Sequence, residues 1–445
     1  MSRKRRRRPV RRTRRAMREI SVKVPLLARV EGEGALALTV RDGVIEALQL
    51  RIFEPPRLFE KLLEGRSFEE VPDIVARICG ICPVAYQMSA CHAIEGILGV
   101  APGPWVRRMR RLFYCGEWIE SHSLHIHLLA APDFLGYPSA LELAKEHPAI
   151  VRRGLALQGL GNDIIRLLGG RSVHPVGARI GGFYHAPDEA SVRALRARLD
   201  QAAEDAKALV SWTASLPLPA TEQVFECVSL RHPDEYPMNE GRIVSNRGLD
   251  IAAADFEAEF QERQAAYSTA LQCLHRGKPY LVGPLARLNL NADRLPSSVA
   301  EHARASGIAF PSYNPFHSVI ARAVEIHCAI VEAAALLEGY AVPEQPFAVP
   351  SPRPGVGFGC TEAPRGILWH RYELDSAGRV VRARIVPPTS QNQARIEEDL
   401  RTELAALGAD STDEALKLRA EAVIRNYDPC ISCATHFLNL EVARS

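Results

Sequence analysis

The chain has 445 residues, of which 47 % are hydrophobic, so it can bury a large core and is long enough for two or three domain-sized units. It contains no run of eighteen apolar residues, so a membrane-spanning helix is not predicted. The net charge of +3 hides an asymmetry: residues 1–20 hold eleven Lys and Arg and one Glu, which leaves −7 on the remaining body. An acidic body argues against nucleic acid as a partner.

The basic segment 1–20 is predicted to be a disordered leader. Blocks of like charge usually stay solvated, although such a block can also bind nucleic acid or an anionic membrane. No apolar stretch follows the paired arginines, so an export signal is not indicated. Met17 directly precedes sequence typical of folded protein, so the leader could also be an upstream extension that is not translated.

Alternating apolar and polar residues open the folded body. Val22–Thr39 and Val44–Ile52 alternate in this way around Arg41-Asp42-Gly43, which predicts a β-hairpin in a small N-terminal sheet. The glycines of Gly32-Glu33-Gly34 resemble a dinucleotide-binding pattern. That motif needs a helix after the glycines, and period-two sequence follows here, so we reject it.

The rest of the body is predicted to be mostly helical. Asp73 is a plausible N-cap for the helix that leads toward the first cysteine pair. Pro343–Gly359 reads as a loop rich in Pro and Gly, and Gly366–Leu374 with Val380–Val386 reads as a late β-hairpin. Helical spacing covers Arg57–Gly99, Pro104–Ala131, Ala149–Leu168, Ser191–Leu216, Asp255–Arg276, Phe316–Tyr340 and Gln391–Ala406. The fold class is therefore α+β and predominantly helical, and residues 21–436 are expected to form one intertwined domain.

Two Cys-x-x-Cys pairs, Cys79/Cys82 and Cys430/Cys433, carry the metal chemistry that we expect of this chain. Each pair can bind one metal side by side, and together they form a soft four-sulfur site suited to zinc, iron or nickel. The pairs are 351 residues apart, where a zinc ribbon would separate them by roughly 15 to 20. A closed four-cysteine zinc site remains the alternative. The six other cysteines lack a cluster-binding spacing and are expected to be buried hydrophobes.

The flanks of these pairs resemble the large subunit of nickel–iron hydrogenases. Arg77-Ile78-Cys79-Gly80-Ile81-Cys82 and Asp428-Pro429-Cys430-Ile431-Ser432-Cys433-Ala434-Thr435-His436 are both similar to that family's motifs, and further matches run from Ala28 to His436. The resemblance implies a hydrogenase large-subunit body in which all four cysteines bind nickel. Cys79 and Cys430 would be terminal ligands, while Cys82 and Cys433 would bridge to an iron that carries carbon monoxide and cyanide.

The same resemblance implies bases for the splitting of dihydrogen. Heterolysis needs a base for the proton, and the terminal thiolate of Cys430 is the simplest one. Glu31, in Ala28-Arg29-Val30-Glu31-Gly32, is similar to the glutamate that relays protons from a terminal cysteine in that family. An ordinary surface ion pair is the alternative for this residue.

Further residues are expected around the metals on the strength of the resemblance, namely Arg365, Pro364, Asp428 and Thr389. Arg365, after Pro364, would place a guanidinium over the open metal position and donate to a cyanide nitrogen. Asp428 would pair with Arg365. Thr389 would direct its hydroxyl toward the second cyanide, with Ser390 as an acceptable substitute.

Glu60 and His436 are similar to the family's ligands for a buried magnesium-type ion near the cluster. A carboxylate is the expected hard ligand for such an ion, whereas a histidine is atypical and rests on the resemblance alone. His122, His125 and His127 are not predicted to form a zinc site, since their spacing places His125 and His127 on different helix faces.

The stretch Ile81–Tyr86 looks closest to the cytosolic bidirectional hydrogenases linked to NAD(P), which implies a cytoplasmic enzyme. An iron–sulfur small subunit, flavin and NAD(P)-binding subunits, nickel-insertion chaperones and a maturation protease would be its partners. That protease would remove Phe437–Ser445 after nickel insertion. The alternatives are a hydrogenase with a deazaflavin or heterodisulfide partner, a dihydrogen sensor, or a noncatalytic scaffold like the quinone-site subunit of respiratory complex I. The four cysteines argue against the scaffold.

Overall fold

The computed structural model describes residues 19–41, 44–408 and 411–435. The helices are α1 Phe59–Leu63, α2 Val71–Val75, α3 Pro83–Leu98, α4 Pro104–Leu124, α5 Ala131–Leu135, α6 Ala140–Glu146, α7 Pro148–Gly169, α8 Glu189–Ala214, α9 Phe256–Glu259, α10 Pro284–Asn291, α11 Ser297–Ala305, α12 Ser318–Leu336, α13 Pro388–Leu407 and α14 Asp413–Asn426. The strands are β1 Glu19–Val24, β2 Gly34–Arg41, β3 Val44–Ile52, β4 Ala178–Arg179, β5 Gly182–Phe183, β6 Val228–Arg231, β7 Arg242–Ser245, β8 Asp250–Ile251, β9 Phe260–Gln264, β10 Leu271–His275, β11 Gly355–Ala363, β12 Gly366–Leu374 and β13 Val380–Val386.

Long helices form the centre of the molecule, as the sequence predicted. Helix α4 packs against α7 on one side and α12 on another, and α12 also packs against α8. The close approach of α4 to α7 depends on Gly116 and Gly161, because a Cβ on Gly161 would lie 2.5 Å from the backbone nitrogen of Glu120. No helix within the described ranges is long and apolar enough to cross a membrane.

Small antiparallel sheets surround the helices. Strands β1, β2 and β3 form the N-terminal sheet, in which β2 pairs with both neighbours. The predicted single strand Val22–Thr39 is therefore wrong: it is divided into β1 and β2 by a turn in which Arg29 and Gly32 have positive φ. Of the predicted turn, Asp42 and Gly43 lie outside the described residues.

The late hairpin is confirmed with the predicted bounds, and it has a third strand, whose first five residues the sequence analysis assigned to a loop. β12 pairs with β13 as expected, and β11 pairs with the other edge of β12. The glycines that suggested a loop instead let β11 lie directly on α3, because a Cβ on Gly357 or Gly359 would come within about 2 Å of α3 carbonyl oxygens.

The predicted helix Asp255–Arg276 is wrong. Only the short helix α9 forms there, followed by the antiparallel pair β9 and β10. The aromatic rings of Phe256 and Phe260 are stacked, and the Phe256 ring also stacks on Trp369, so packing against the late sheet overrides the local helical spacing.

The predicted cap at Asp73 is also wrong. Helix α2 begins after Glu70, and Asp73 lies inside it. Helix α3 begins after Cys82, which occupies its N-cap position and is followed by Pro83 at the first helical position, where the missing proline N–H costs nothing.

Candidate metal centre

The first cysteine pair lies where a short turn ends and helix α3 begins. Cys79 follows the turn Ala76–Ile78, and its sulfur accepts hydrogen bonds from the backbone N–H groups of Ile81 and Cys82 at 3.3 and 3.2 Å. Burial raises the pKa of the Cys79 thiol, but hydrogen bonds from the other three cysteines outweigh burial and hold this pKa well below its usual range. The neighbouring cysteines therefore favour a thiolate at Cys79, the form that binds metals.

The second pair follows helix α14 and meets the first. Cys79 Sγ lies 3.4 Å from Cys430 Sγ, and Cys82 Sγ lies 3.9 Å from Cys433 Sγ. All four sulfurs lie within 4.8 Å of one another, and all four residues are buried and outside any disulfide. A buried set of four soft, converging donors fits the nickel and iron that the sequence analysis expected, since thiolates both bind and bridge such metals.

Glu31 lies against the second pair. Its Oε2 accepts hydrogen bonds from Cys430 Sγ and from the backbone N–H of Ser432, both at 3.1 Å. Its own carbonyl accepts from the backbone N–H of Ile431 at 3.0 Å. Glu31 is therefore not a surface ion pair, and its carboxylate is fixed beside the Cys430 sulfur.

Arg365 and Asp428 form a buried pair next to the cysteines. Arg365 donates to the Asp428 carbonyl at 2.7 Å and to its carboxylate at 3.0 Å, while Nη1 of Arg365 has no hydrogen-bond partner among the described residues. Burial lowers the pKa of Arg365, but Asp428 and the thiols of Cys430, Cys82 and Cys79 have the larger, opposite effect and hold this pKa well above its usual range. The guanidinium therefore stays charged, and its Nη1 is still available to donate.

Thr389 contacts the second cysteine pair directly, whereas Pro364 contacts Arg287 beside the site. The hydroxyl oxygen of Thr389 accepts a hydrogen bond from the backbone N–H of Cys430 at 3.0 Å, so it fixes the cysteine loop. The neighbouring Ser390 is buried and its hydroxyl has no hydrogen-bond partner among the described residues. Pro364 is buried and offers its carbonyl to Arg287 at 2.9 Å.

The predicted magnesium ligands are not both visible. Glu60 lies in the first turn of α1, and its carboxylate accepts from the backbone N–H of Ile385 at 2.7 Å. His436 lies outside the described residues. The structure therefore gives a position for one expected ligand of this ion and none for the other.

The three histidines do not converge, in agreement with the sequence analysis. His122 contacts Glu325 at 2.8 Å, His125 contacts the Arg425 carbonyl at 2.8 Å, and His127 contacts the Ser123 carbonyl at 2.9 Å. Burial lowers the pKa of His122 and His127 to about 4 and that of His125 to about 3, so all three are neutral near pH 7.

The sequence analysis missed charged residues around the site, among them the partly buried Arg57 and the fully buried Glu117. Arg57 donates from one guanidinium nitrogen to the Ile78 carbonyl at 2.6 Å and to the Ser432 carbonyl, so it joins the two cysteine loops. Glu117 accepts from the backbone N–H groups of Val84 and Ala85, at the start of the helix that follows Cys82. Arg322 and Glu325 are buried near the site as well, and for these two a usable sequence signal was present, since each is a single charged residue within the mostly apolar stretch Ile320–Ile330.

Comparison with known proteins agrees with this geometry. The family model described as nickel-dependent hydrogenase matches residues 57–157 and 244–436, more than half of the chain. The chain is 33 % identical to the alpha chain of sulfhydrogenase 2 from Pyrococcus furiosus over 417 residues, which cover 93 % of this chain and 98 % of that one. It is 30 % identical to a chain of the F420-non-reducing hydrogenase from Methanothermobacter marburgensis over 460 residues, covering 94 % of each.

A solved structure is also similar. The crystal structure of an NAD+-reducing NiFe hydrogenase in the H2-reduced state superimposes with a TM-score of 0.83 and 28 % identity, and the match covers 94 % of this chain and 99 % of that one. The fold, the four converging cysteines and the family match lead to one conclusion. The chain belongs to the nickel-dependent hydrogenases, as a large subunit of that family.

Proposed function

We propose that this chain is the catalytic subunit of a nickel–iron hydrogenase that splits dihydrogen reversibly into protons and electrons at the four-cysteine cluster. The convergence of four buried sulfurs from two distant segments carries this proposal, with Glu31 at 3.1 Å from one of them. By their positions in the two motifs, Cys79 and Cys430 would hold nickel as terminal ligands. Cys82 and Cys433 would hold both nickel and an iron with carbon monoxide and cyanide ligands.

The bound metals supply a Lewis acid that polarises dihydrogen and an acceptor for its electrons. The protein supplies the path for the proton. Cys430 Sγ accepts the proton, and Glu31 Oε2 receives it across 3.1 Å. The site is closed to bulk solvent, since the four cysteines are at most 3 % exposed, and this closure keeps the charges inside strongly interacting.

Arg365, Pro364, Asp428 and Thr389 shape the space beside the metals. Asp428 holds the Arg365 guanidinium through two hydrogen bonds, and the remaining Nη1 is the donor that would meet a cyanide nitrogen or the substrate. Pro364 directs the turn from which Arg365 extends. Thr389 holds the Cys430 backbone, and its hydroxyl hydrogen is still available for the second cyanide.

Glu60 and His436 are proposed to bind a divalent ion such as magnesium. Glu60 contributes a carboxylate oxygen, a hard ligand suited to this ion. The backbone N–H of Arg57 donates to the Thr435 carbonyl at 2.7 Å, so the residue before His436 is tied to the segment that leads into α1.

Electrons leave through an iron–sulfur small subunit in this proposal. The loop of the first cysteine pair reaches the surface at the exposed Gly80. Beside it lies Val173, which is 52 % exposed, and the next residue, His174, donates to the Ala76 carbonyl at 2.8 Å. Val176 and Tyr184, further along the same segment, are 38 and 41 % exposed. An exposed apolar face next to buried metal ligands suits a partner that receives electrons.

The final electron acceptor is proposed to be NAD(P), reached through flavin and NAD(P)-binding subunits in the cytoplasm. The similarity to an NAD+-reducing hydrogenase structure supports this choice. A second candidate is a hydrogenase with another acceptor, such as a heterodisulfide partner. The similarity to an F420-non-reducing hydrogenase, a relative not named for NAD, supports keeping this candidate. A dihydrogen sensor would retain the same four cysteines.

Maturation and domain boundaries complete the proposal. Glu19 and Ile20, which the sequence analysis placed in the leader, pair with β2 instead, so that part of the prediction is wrong. In this proposal the remaining body up to residue 436 acts as one unit, and a protease removes 437–445 after chaperones insert nickel. If the purified active enzyme ended at Ser445, this account of the tail would be wrong.

An infrared spectrum with metal analysis of the complex from its native host tests the proposed centre. Carbonyl and cyanide bands together with nickel and iron are expected. If the chain has lost residues 437–445 and yet contains zinc and shows no carbonyl or cyanide bands, the proposed nickel–iron centre is wrong. Assays with NAD+ and NADP+ under dihydrogen then separate the two acceptor classes, since the second candidate predicts no reduction of either nucleotide.

A further inference from the structure

Arg287 uses every one of its donors around the hairpin tip that carries Arg365. Its five N–H groups meet Glu325 Oε1 and Oε2, Glu362 Oε2 and the carbonyls of Ala363 and Pro364, all at 2.8 to 2.9 Å. The side chain is fully buried, and its guanidinium lies 4.4 Å from the centre of the Trp118 ring. Complete satisfaction of a buried guanidinium fixes both the arginine and its acceptors.

The tip needs such support because strand pairing alone does not define it. β11 and β12 end in the pair Ala363 and Gly366, so Pro364 and Arg365 are the whole connection. Gly283, just before α10, has a φ of 110°, and a Cβ there would lie 2.8 Å from the Arg365 carbonyl. Helix α10, which carries Arg287, therefore packs directly against the tip.

The side chain of Arg365 is held by the other end of the same network. Asp428 contacts Arg365 at 3.0 Å and Arg322 at 3.3 Å. Arg322 contacts His122 Nδ1 at 3.2 Å, and His122 contacts Glu325 at 2.8 Å.

Glu325 links these contacts back to Arg287, because Arg287 donates two parallel hydrogen bonds to the Glu325 carboxylate. One buried ring of contacts thus holds Arg365 twice, by its backbone turn and by its guanidinium. Tyr236 donates to Glu325 at 2.7 Å and adds a further fixed point.

We propose that Arg287, through Glu325, is a positioning residue that sets the orientation of the Arg365 guanidinium over the metal site. This inference rests on the role proposed for Arg365. Lysine at position 287 keeps the charge but presents three donors in place of five, so it leaves at least two acceptors unpaired and frees the tip.

A double-mutant cycle on the whole complex tests the proposal, with kcat for dihydrogen oxidation and the positions of the infrared cyanide bands as readouts. Arg287→Lys is expected to lower kcat about 10- to 100-fold, the cost of an error of about 1 Å in a catalytic group, and to shift the bands at unchanged nickel content. Arg287→Lys with Arg365→Lys should be no slower than Arg365→Lys alone, because the positioned group is already altered.

Arg110→Lys is the matched control. Arg110 is equally buried and binds Glu95 with two hydrogen bonds at 2.8 and 2.5 Å, outside the ring. Its replacement should lower the melting temperature without moving kcat or the cyanide bands.

The possible failures are distinguishable. Normal turnover in Arg365→Lys would remove the role of Arg365 itself. A slow Arg365→Lys with normal Arg287→Lys, or losses that multiply in the double variant, would overturn the positioning role alone. If Arg287→Lys does not retain nickel, Glu325→Gln is the second variant. This variant keeps the contacts of Arg287 with the hairpin tip but weakens the pair between Arg287 and position 325. It should shift the cyanide bands in the same direction as Arg287→Lys. Unshifted bands would contradict the proposal.

Discussion

The carboxylate of Glu31 lies 3.1 Å from the sulfur of Cys430, although 399 residues separate the two in sequence. The contact is reinforced by hydrogen bonds to Glu31 from the backbone N–H groups of the two residues that follow the cysteine, Ile431 and Ser432. A carboxylate held in this way is already in place for proton exchange with the thiol and needs no rearrangement to reach it.

Glu31→Gln should abolish most dihydrogen turnover while the centre stays assembled. The amide oxygen can still accept from Ser432, but the amide cannot take up a proton, and loss of a general base typically costs about 10²- to 10⁴-fold. Turnover and proton–deuterium exchange are measured together with nickel content. Glu33→Gln is the control, because Glu33 is exposed on the same loop. Unchanged turnover in Glu31→Gln would sink the relay role.

Arg57→Gln should lower the retention of both metals. Arg57 is bonded to carbonyls in both cysteine loops, and each hydrogen bond from a charged donor contributes about 1.5 to 3 kcal/mol. The measurement is nickel and iron per chain after gel filtration of the variant. Arg66→Gln replaces a nearby arginine whose side chain is 48 % exposed, and it should retain a full complement. Equal metal content in the two variants would contradict a bridging role for Arg57.

Thr389→Val should impair the centre more than Thr389→Ser. Valine keeps the shape but leaves the buried N–H of Cys430 without an acceptor, at a cost of about 1 to 3 kcal/mol. Serine keeps the acceptor oxygen. Metal content and turnover of the two variants provide the comparison, and equal values for valine and serine would show that this hydrogen bond is unimportant.

His327→Leu should make the protein less sensitive to acid. Burial lowers the pKa of His327 to about 4, and neither ring nitrogen has a hydrogen-bond partner among the described residues. Below pH 6.5 the unfolded chain binds a proton that the folded protein does not, so this residue costs stability as the pH falls from about 6.5 to about 4. At pH 5 that cost is about 2 kcal/mol, and it vanishes above pH 7.

The melting temperatures of His327→Leu and of the native protein are measured at pH 7.5 and at pH 5. The decrease from pH 7.5 to pH 5 should be smaller in the variant than in the native protein. His185→Gln alters an exposed histidine and should leave the pH dependence as it is. A parallel fall in native protein and His327→Leu would show that His327 does not contribute to acid sensitivity.

Local signals made part of the fold and of the site predictable. The two cysteine pairs, the glutamate of the Arg29-Val30-Glu31-Gly32 segment and the strands Gly366–Leu374 and Val380–Val386 all lie in short motifs that can be read without knowing what packs against them. The helix expected over Asp255–Arg276 failed for the opposite reason, because the stacking of Phe256 on Trp369 is a contact between distant segments.

The supporting residues could not be assigned from their neighbours. Arg287 lies on an eight-residue helix that has other polar residues, and nothing within that helix indicates that the guanidinium faces Glu325 and a hairpin tip. Arg57 precedes Phe59 and Glu60 in a segment read as the start of a helix, and its contact with Ser432 spans 375 residues. Such roles depend on the assembled tertiary structure.

The separation of the two cysteine pairs in the sequence also determines when each pair is available during synthesis of the chain. At about 5 to 20 residues per second, a ribosome makes Cys79 and Cys82 roughly 20 to 70 seconds before Cys430 and Cys433, which lie 351 residues later. During that interval the first pair can offer only two thiolates, and a metal held by two ligands exchanges readily. The four-thiolate site is therefore complete only after nearly all of the chain has been synthesised, when the second pair arrives and Glu31 and Arg57 can bind its loop.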